Sequence, residues 1–241
     1  MLNIFENRRV LITGASAGIG LCLTRKVHLA GGDILAVGRR PPGELPEDFP
    51  DLAYSAIDLG APDATAQIIA AAETLDWDTL DYLVLNAGTG RYAGVETEDA
   101  ASIADTVQVN LAAPIEIAHA FADRLLAAHG KVVLVGSAAH KGSAGFPVYA
   151  ATKAALNGFA RSLRSEWRGR IDVQIIHPGP VSTEMHARAG FDPGWVGKLF
   201  LKADDVAEVM ARRIASNRSP VTVGYRAVIR MREKRLMRGG G

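Results

Sequence analysis

The stretch RVLITGASAGIG at residues 9–20 joins a short apolar run, Arg9 to Thr13, to a glycine-spaced turn and a helix-patterned segment that continues to Ala30. An unbroken Val/Leu/Ile run reads as a strand covered on both faces, because a strand with one wet face alternates apolar and polar residues. Glycines at 14, 18 and 20 reach dihedrals closed to other residues and let a ligand approach the backbone. The free N–H groups that open the next helix, with the positive end of its dipole, then form a site for an anion such as a pyrophosphate. In this context of strand, turn and helix, the glycines point to dinucleotide binding.

The same alternation continues outward from this turn. Apolar runs at 33–38, 52–57, 80–86, 131–136, 171–177 and 221–223 alternate with helix-patterned segments at 64–75, 99–129, 149–168 and 204–216. This order predicts one α/β domain: a Rossmann-type, doubly wound parallel sheet with right-handed crossovers and ligands beyond the carboxyl ends of its strands. The domain is read as residues 1–225, with a basic tail at 226–241 that carries six Lys/Arg between Arg226 and Arg238. Val228, Ile229, Leu236 and Met237 suggest a narrow apolar stripe on a solvated tail helix, with docking on the body or contact with a partner or an anionic surface as alternatives.

Composition limits the function. With 27 Lys/Arg against 26 Asp/Glu among 241 residues, no basic excess exists to neutralise phosphates, which excludes nucleic acid as a main partner. The single cysteine, Cys22, forms no internal disulfide and fits a reducing compartment. No stretch is apolar and long enough for a transmembrane helix, and MLNIFENRRV carries charge where a signal peptide needs an apolar core. The expectation is a cytoplasmic protein, and no metal ligands are assigned.

The spacing G-x-x-x-G-x-G is one residue longer than the G-x-G-x-x-G fingerprint. TGASAGIG at 13–20 resembles the cofactor motif of the short-chain dehydrogenase/reductase family, and the resemblance runs to about residue 185. It implies that Gly14, Ser16, Gly18, Ile19 and Gly20 hold a nicotinamide dinucleotide. Arg39 and Arg40 follow the second strand, and no Asp or Glu lies between Ile34 and Gly43. An acid there would bind ribose hydroxyls, whereas an arginine fork accommodates a 2′-phosphate, so NADP(H) is expected over NAD(H). One departure is that some NADP(H)-dependent relatives carry a basic residue inside the glycine turn, where Ser16 and Ala17 stand here. Asp58 and Leu59 resemble the family's adenine contact, and Asn86-Ala87-Gly88 its N-A-G motif.

Tyr149 and Lys153 stand four apart on a helical segment and so share a face. A nearby ammonium is expected to lower the tyrosine's pKa and make proton exchange with an alcohol feasible. By resemblance, Asn110, Ser137, Tyr149 and Lys153 form the family's catalytic tetrad. Tyr149 and Lys153 also touch the cofactor there, Ser137 the substrate oxygen, and Asn110 a water chained to the lysine. Pro178, Gly179, Val181 and Thr183 match the family's P-G-x-V-x-T segment, whose valine and threonine positions hold the carboxamide. Residues 184–202 sit where relatives carry a substrate lid, with Met185 and Trp195 as substrate contacts beside Ser137 and Tyr149. Phe191, Leu199 and Phe200 add apolar side chains, and residues 142–148 the opposite wall. His177 reads as structural, whereas His140 faces either substrate or solvent.

These features together predict an NADP(H)-dependent oxidoreductase acting on a small carbonyl or secondary alcohol, with a homodimer through the family's fourth and fifth helices. The alternative is a non-catalytic NADP(H)-binding regulator or redox sensor of the same fold. An epimerase or dehydratase would need a larger substrate domain than the chain after Thr183 supplies.

Overall fold

The computed structural model describes residues 3–216 and 218–239. β1 (Arg9–Thr13) lies third from one edge of a seven-stranded sheet, and everything from Val10 to Thr13 in it is buried. On one side follow β2 (Asp33–Gly38) and β3 (Ala53–Ala56). On the other follow β4 (Tyr82–Leu85), β5 (Lys131–Val135), β6 (Asp172–Pro178) and β9 (Val221–Val223). All pairs are parallel, as the continuous apolar runs require. Register aligns Leu11 with Leu35 and Leu83, so alternate residues from neighbouring strands share a face. Leu11, Leu35, Leu83 and Leu134 pack with α2 (Ala64–Glu73), α4 (Ala113–Ala120) and α6 (Pro147–Glu166). Ile12, Ala36, Val84 and Val133 pack with α1 (Gly18–Leu29) and α8 (Ala203–Ile214) on the opposite face. The strand order reverses between β1 and β4, which opens a crevice at their carboxyl ends.

Three expectations change. The single helix at 99–129 is broken into α3 (Ala100–Val107), a π-helical turn at Gln108–Ala112, α4, and α5 (Ala122–Ala128). Pro114 lacks an N–H and stands at the start of α4, so the ladder cannot run through it with regular spacing. Phe121 then interrupts the helix, and His129 ends it in the left-handed region at φ 48°. α6 begins at Pro147, ahead of Tyr149, because the fixed φ of proline suits a first helical position.

The basic tail is docked on the body. It forms α9 (Tyr225–Gly239), whose Val228 and Met231 are buried in the cluster containing Met210 and Ile214 of α8. Arg232 pairs with Asp205 at the start of α8. Among the described residues its buried apolar side chains are Val228 and Met231, three apart on one helical face, with Ala227 packed beside them, while Ile229 is exposed. The Leu236 and Met237 side chains lie outside those described.

The segment read as a lid holds α7 (Glu184–Arg188) and a 3₁₀ turn at Gly194–Leu199. Its two ends are pinned together by parallel pairing of β7 (Val181–Ser182) with β8 (Leu201–Lys202).

Candidate active site

The glycine turn is built by exclusion of side chains. Gly14 and Gly18 adopt φ of 66° and 55°, the left-handed region that favours glycine. A Cβ on Gly20 would lie 2.0 Å from the Gly14 carbonyl oxygen and 2.5 Å from Nδ2 of Asn86. Asn86 in turn donates from Nδ2 to the carbonyls of Thr13 (3.0 Å) and Gly14 (3.2 Å). The Thr13 hydroxyl accepts from the backbone N–H groups of Asn86 and Ala87, each at 3.1 Å. Thr13 and Asn86 thus clamp the turn to the end of β4. Gly20→Ala should therefore remove cofactor binding and destabilise the chain by about 3 kcal/mol, because backbone and not a flexible side chain must move. Denaturant titration and NADPH binding check this; a parental midpoint would mean that the turn relaxes freely.

This turn forms one end of a cleft of about 1080 Å³. Every cofactor residue read from the sequence lines it, as do Ser137, Tyr149 and Met185. Gly18 faces Thr183 across it, where a Cβ would come within 3.1 Å of the threonine methyl. The close-packed glycines, unhindered N–H groups and opening of α1 form a cradle that fits a dinucleotide pyrophosphate. At its far end, Arg39 is exposed and has no ion-pair or hydrogen-bond partner among the described residues. Arg40 is already committed: its guanidinium bonds Glu184 of α7 at 2.9 Å. Glu184 is a contact the sequence did not suggest. Asp58 turns its carboxylate to the N–H of Gly60 at 3.0 Å.

Two sequence-read residues lie elsewhere. Asn110 is fully buried behind the cleft, and Trp195 is 75 % exposed outside it, on the outward side of its 3₁₀ turn. Phe191 and Phe200 of the lid segment, Phe146, and Tyr92 after β4 line the cleft instead. Tyr92 belongs to no motif, and only its packing over Gly145 reveals it.

At the inner wall the Tyr149 hydroxyl is hydrogen-bonded to the Ser137 side chain. Burial raises the tyrosine above its ordinary pKa of 10.0, and the Ser137 bond only partly opposes this. The expected depression by Lys153 is absent for a geometric reason. The ammonium lies 5.7 Å from the centre of the tyrosine ring and is committed to the Val135 carbonyl, to which it donates at 3.0 Å. Lys153 is 3 % exposed, and burial alone lowers its pKa to about 8.

Asn110 sits in the π turn, with Oδ1 accepting from Thr89 N–H (2.8 Å). Its Nδ2 donates to the Thr89 carbonyl (2.8 Å) and Thr152 Oγ1 (3.1 Å). Thr152 donates onward to the Tyr149 carbonyl at 2.8 Å. The asparagine thereby ties the loop after β4 to the helix that carries Tyr149. The histidines pack behind Ser137. His140 turns Nδ1 to the Ser137 carbonyl (2.7 Å) and stacks on His177 at 4.1 Å. His177 meets Asn157 Oδ1 at 3.0 Å, and burial, reinforced by His140, lowers its pKa to about 4. His177 does not line the cleft, and its ring packs between His140 and Asn157. His140 faces the Ser137 backbone.

The buried ammonium opposes folding. The folded pKa of Lys153 lies below its unfolded value of 10.5, so between pH 8 and 10.5 the unfolded chain binds more protons and stability rises with pH. Its penalty near neutrality is about 3 kcal/mol, offset in part by the bond to Val135. Lys153→Met should therefore stabilise the protein by about 2 kcal/mol at pH 7, with the gain vanishing towards pH 10. Thermal melts at the two pH values check this; equal gains at both would remove the buried charge as the cause.

A second cavity, of about 380 Å³, lies at the amino ends of β5 and β6, lined by Arg161, Arg164 and Arg168, and shares no residue with the cleft.

The family model for short chain dehydrogenases matches residues 8–192. The NADP-dependent 3-hydroxy acid dehydrogenase YdfG of Escherichia coli O6:H1 is 32 % identical over 217 residues, covering 83 % of this chain and 86 % of that protein. Serine 3-dehydrogenase of Agrobacterium fabrum is also 32 % identical, over 83 % and 85 % of the two chains. Among solved structures, the short-chain dehydrogenase from Sphingobium yanoikuyae in complex with NADPH superposes with a TM-score of 0.77 at 25 % identity, covering 97 % of this chain and 94 % of that one. With its glycine turn, its N-A-G clamp and its Ser–Tyr–Lys wall on one parallel sheet, this chain belongs to the short-chain dehydrogenase family.

Proposed function

We propose that the protein is an NADP(H)-dependent oxidoreductase that interconverts a carbonyl compound and its secondary alcohol. The observation that carries this reading is the half-buried Tyr149 on the cleft wall, sharing that wall with Ser137 and with the Lys153 ammonium 5.7 Å from its ring. When bound, the cofactor supplies the hydride for the carbonyl carbon. Tyr149 donates the proton to the carbonyl oxygen, and burial keeps the phenol protonated until it does so. Ser137 holds that oxygen beside the phenol, from a hydroxyl already fixed by Ala139 N–H at 3.1 Å. Lys153 is assigned to stabilise the negative charge left on the phenol once its ammonium turns from the Val135 carbonyl towards it. Asn110 acts through Thr89 and Thr152 and is a positioning residue. The glycine turn would hold the pyrophosphate and Arg39 a 2′-phosphate, while Val181 and Thr183 flank the nicotinamide end.

The NADP dependence of the 3-hydroxy acid dehydrogenase relative supports the cofactor assignment. The reading extends to a cytoplasmic homodimer. Val107 and Ile115, 40 % and 39 % exposed, give α3 and α4 apolar outer positions for a second copy, and no helix among the described residues is long and apolar enough to cross a membrane. The test follows NADPH absorbance with a panel of ketones, aldehydes and 3-oxo acids. Consumption with at least one member is expected. NADPH binding without turnover of any member would turn the assignment towards a regulator.

A further inference from the structure

Three loops meet at the substrate end of the cleft. Tyr92 N–H donates to the Ala189 carbonyl (2.8 Å) and Ala93 N–H to the Gly145 carbonyl (2.9 Å). These bonds join the segment after β4 to the lid and to the loop before α6. On this frame Tyr92, Phe146 and Phe191 form a ring cluster, with centroids 5.3 Å (Tyr92–Phe146), 4.8 Å (Tyr92–Phe191) and 5.7 Å (Phe146–Phe191) apart. Phe146 continues to Tyr149 at 6.1 Å, edge to face. The Tyr92 ring lies over Gly145, where a Cβ would come within 2.2 Å of it at a φ of 75°. All three rings line the cleft, so the apolar wall leads straight to the reactive hydroxyl.

Charge says what does not belong there. Recognition of a carboxylate calls for a charge-assisted donor, most often a free arginine fork. Among the described residues, the cations lining the cleft beyond its Arg39–Arg40 end are Lys153 and Arg188. Lys153 points at the Val135 carbonyl, and Arg188 is bonded to Glu184 at 2.6 Å. The same Glu184 also holds Arg40, so among the described residues no cation lining this end of the cleft is left without a partner.

We infer that the substrate carries an aromatic or flat uncharged ring beside its carbonyl, stacked on Tyr92, Phe146 and Phe191, and that free carboxylates are poor ligands. This rests on the oxidoreductase reading above, and it sets the chain apart from the 3-hydroxy acid and serine dehydrogenases it resembles. Aromatic stacking at such centroid spacings favours a ring over an aliphatic chain of equal area.

The test is calorimetric binding to the NADP⁺-loaded protein, with 1-phenylethanol and 3-hydroxybutyrate as probes. The aryl alcohol should bind at least ~10-fold more tightly. Phe191→Ala should weaken it ~10-fold or more while NADP⁺ affinity, which also reports correct folding, stays at the parental value. Tyr92→Ser, at a half-exposed position, serves as the second variant and should act in the same direction. Equal or tighter binding of the hydroxy acid, binding of neither probe, or aryl binding indifferent to both variants would overturn the inference. Hydride transfer is read separately from absorbance. Tight aryl binding without transfer would sink the reaction and leave the ligand class standing.

Discussion

Tyr149→Phe should lower turnover at saturating substrate by about 10³-fold or more and leave NADPH binding at the parental level. The substitution removes one oxygen from a ring whose body is held by other contacts. Gly90 packs so closely that a Cβ there would touch the ring at 3.0 Å, and Phe146 meets it edge to face. Ser137 retains its bond from Ala139 N–H, so its hydroxyl keeps a fixed place when the phenol is lost. The structural cost is then about 1 kcal/mol, one hydrogen bond between side chains. Rate is another matter, because no other described acid on the cleft wall meets Ser137 at a hydroxyl. His140 bonds the Ser137 backbone, and His177 is held neutral behind it. Steady-state kinetics with a competent carbonyl, alongside fluorescence titration of NADPH, check the split. More than a tenth of parental turnover would end the proton-donor assignment.

The second large effect concerns the cofactor. Arg39→Asp should weaken NADPH by about 10²–10³-fold, hold or improve NADH, and so reverse the preference. Loss of a charge-assisted fork removes about 1.5–3 kcal/mol, and the new carboxylate adds repulsion towards a phosphate dianion. An acid at this strand end can also accept from ribose hydroxyls, which favours NADH. Arg40 is poorly placed to compensate, since its guanidinium is engaged by Glu184 and approaches the Glu44 carbonyl at 3.5 Å. Titration with both dinucleotides decides this. An unchanged ratio would mean that Arg40 gives up Glu184 and carries the phosphate itself.

The sheet was legible because buried parallel strands are written as unbroken apolar runs, and the glycine turn because few side chains fit there. The Tyr149–Lys153 pair was legible through helical spacing, and Ser137 through the family resemblance. Other features had no such signature. The Arg40–Glu184 pair joins residues 144 apart in the chain, and no local pattern encodes it. Spacing put Lys153 on the face of Tyr149, but neither the ammonium's bond to the Val135 carbonyl nor the burial that raises the tyrosine's pKa is encoded by it. Of the tail's apolar stripe, Val228 is buried as expected, whereas Ile229 is exposed and Met231 packs against α8 in its place, a choice that only the position of α8 makes. Trp195 falls in the segment where relatives carry a lid, yet it stands exposed outside the cleft.

The π-helical turn at Gln108–Ala112 has a consequence for how the chain tolerates changes in length. An α-helix advances ~100° per residue, so one residue added or removed ahead of α4 swings everything beyond it by that angle. Asn110 holds Thr89 and Thr152 through a side chain whose direction depends on this local widening. A substitution on the exposed side of α3 leaves that direction intact. A single-residue deletion between 108 and 112 would restore ordinary helical phase and point the amide away from both partners. The stretch is therefore a frame of reference for the active site, forgiving in composition on its outer face and strict in count.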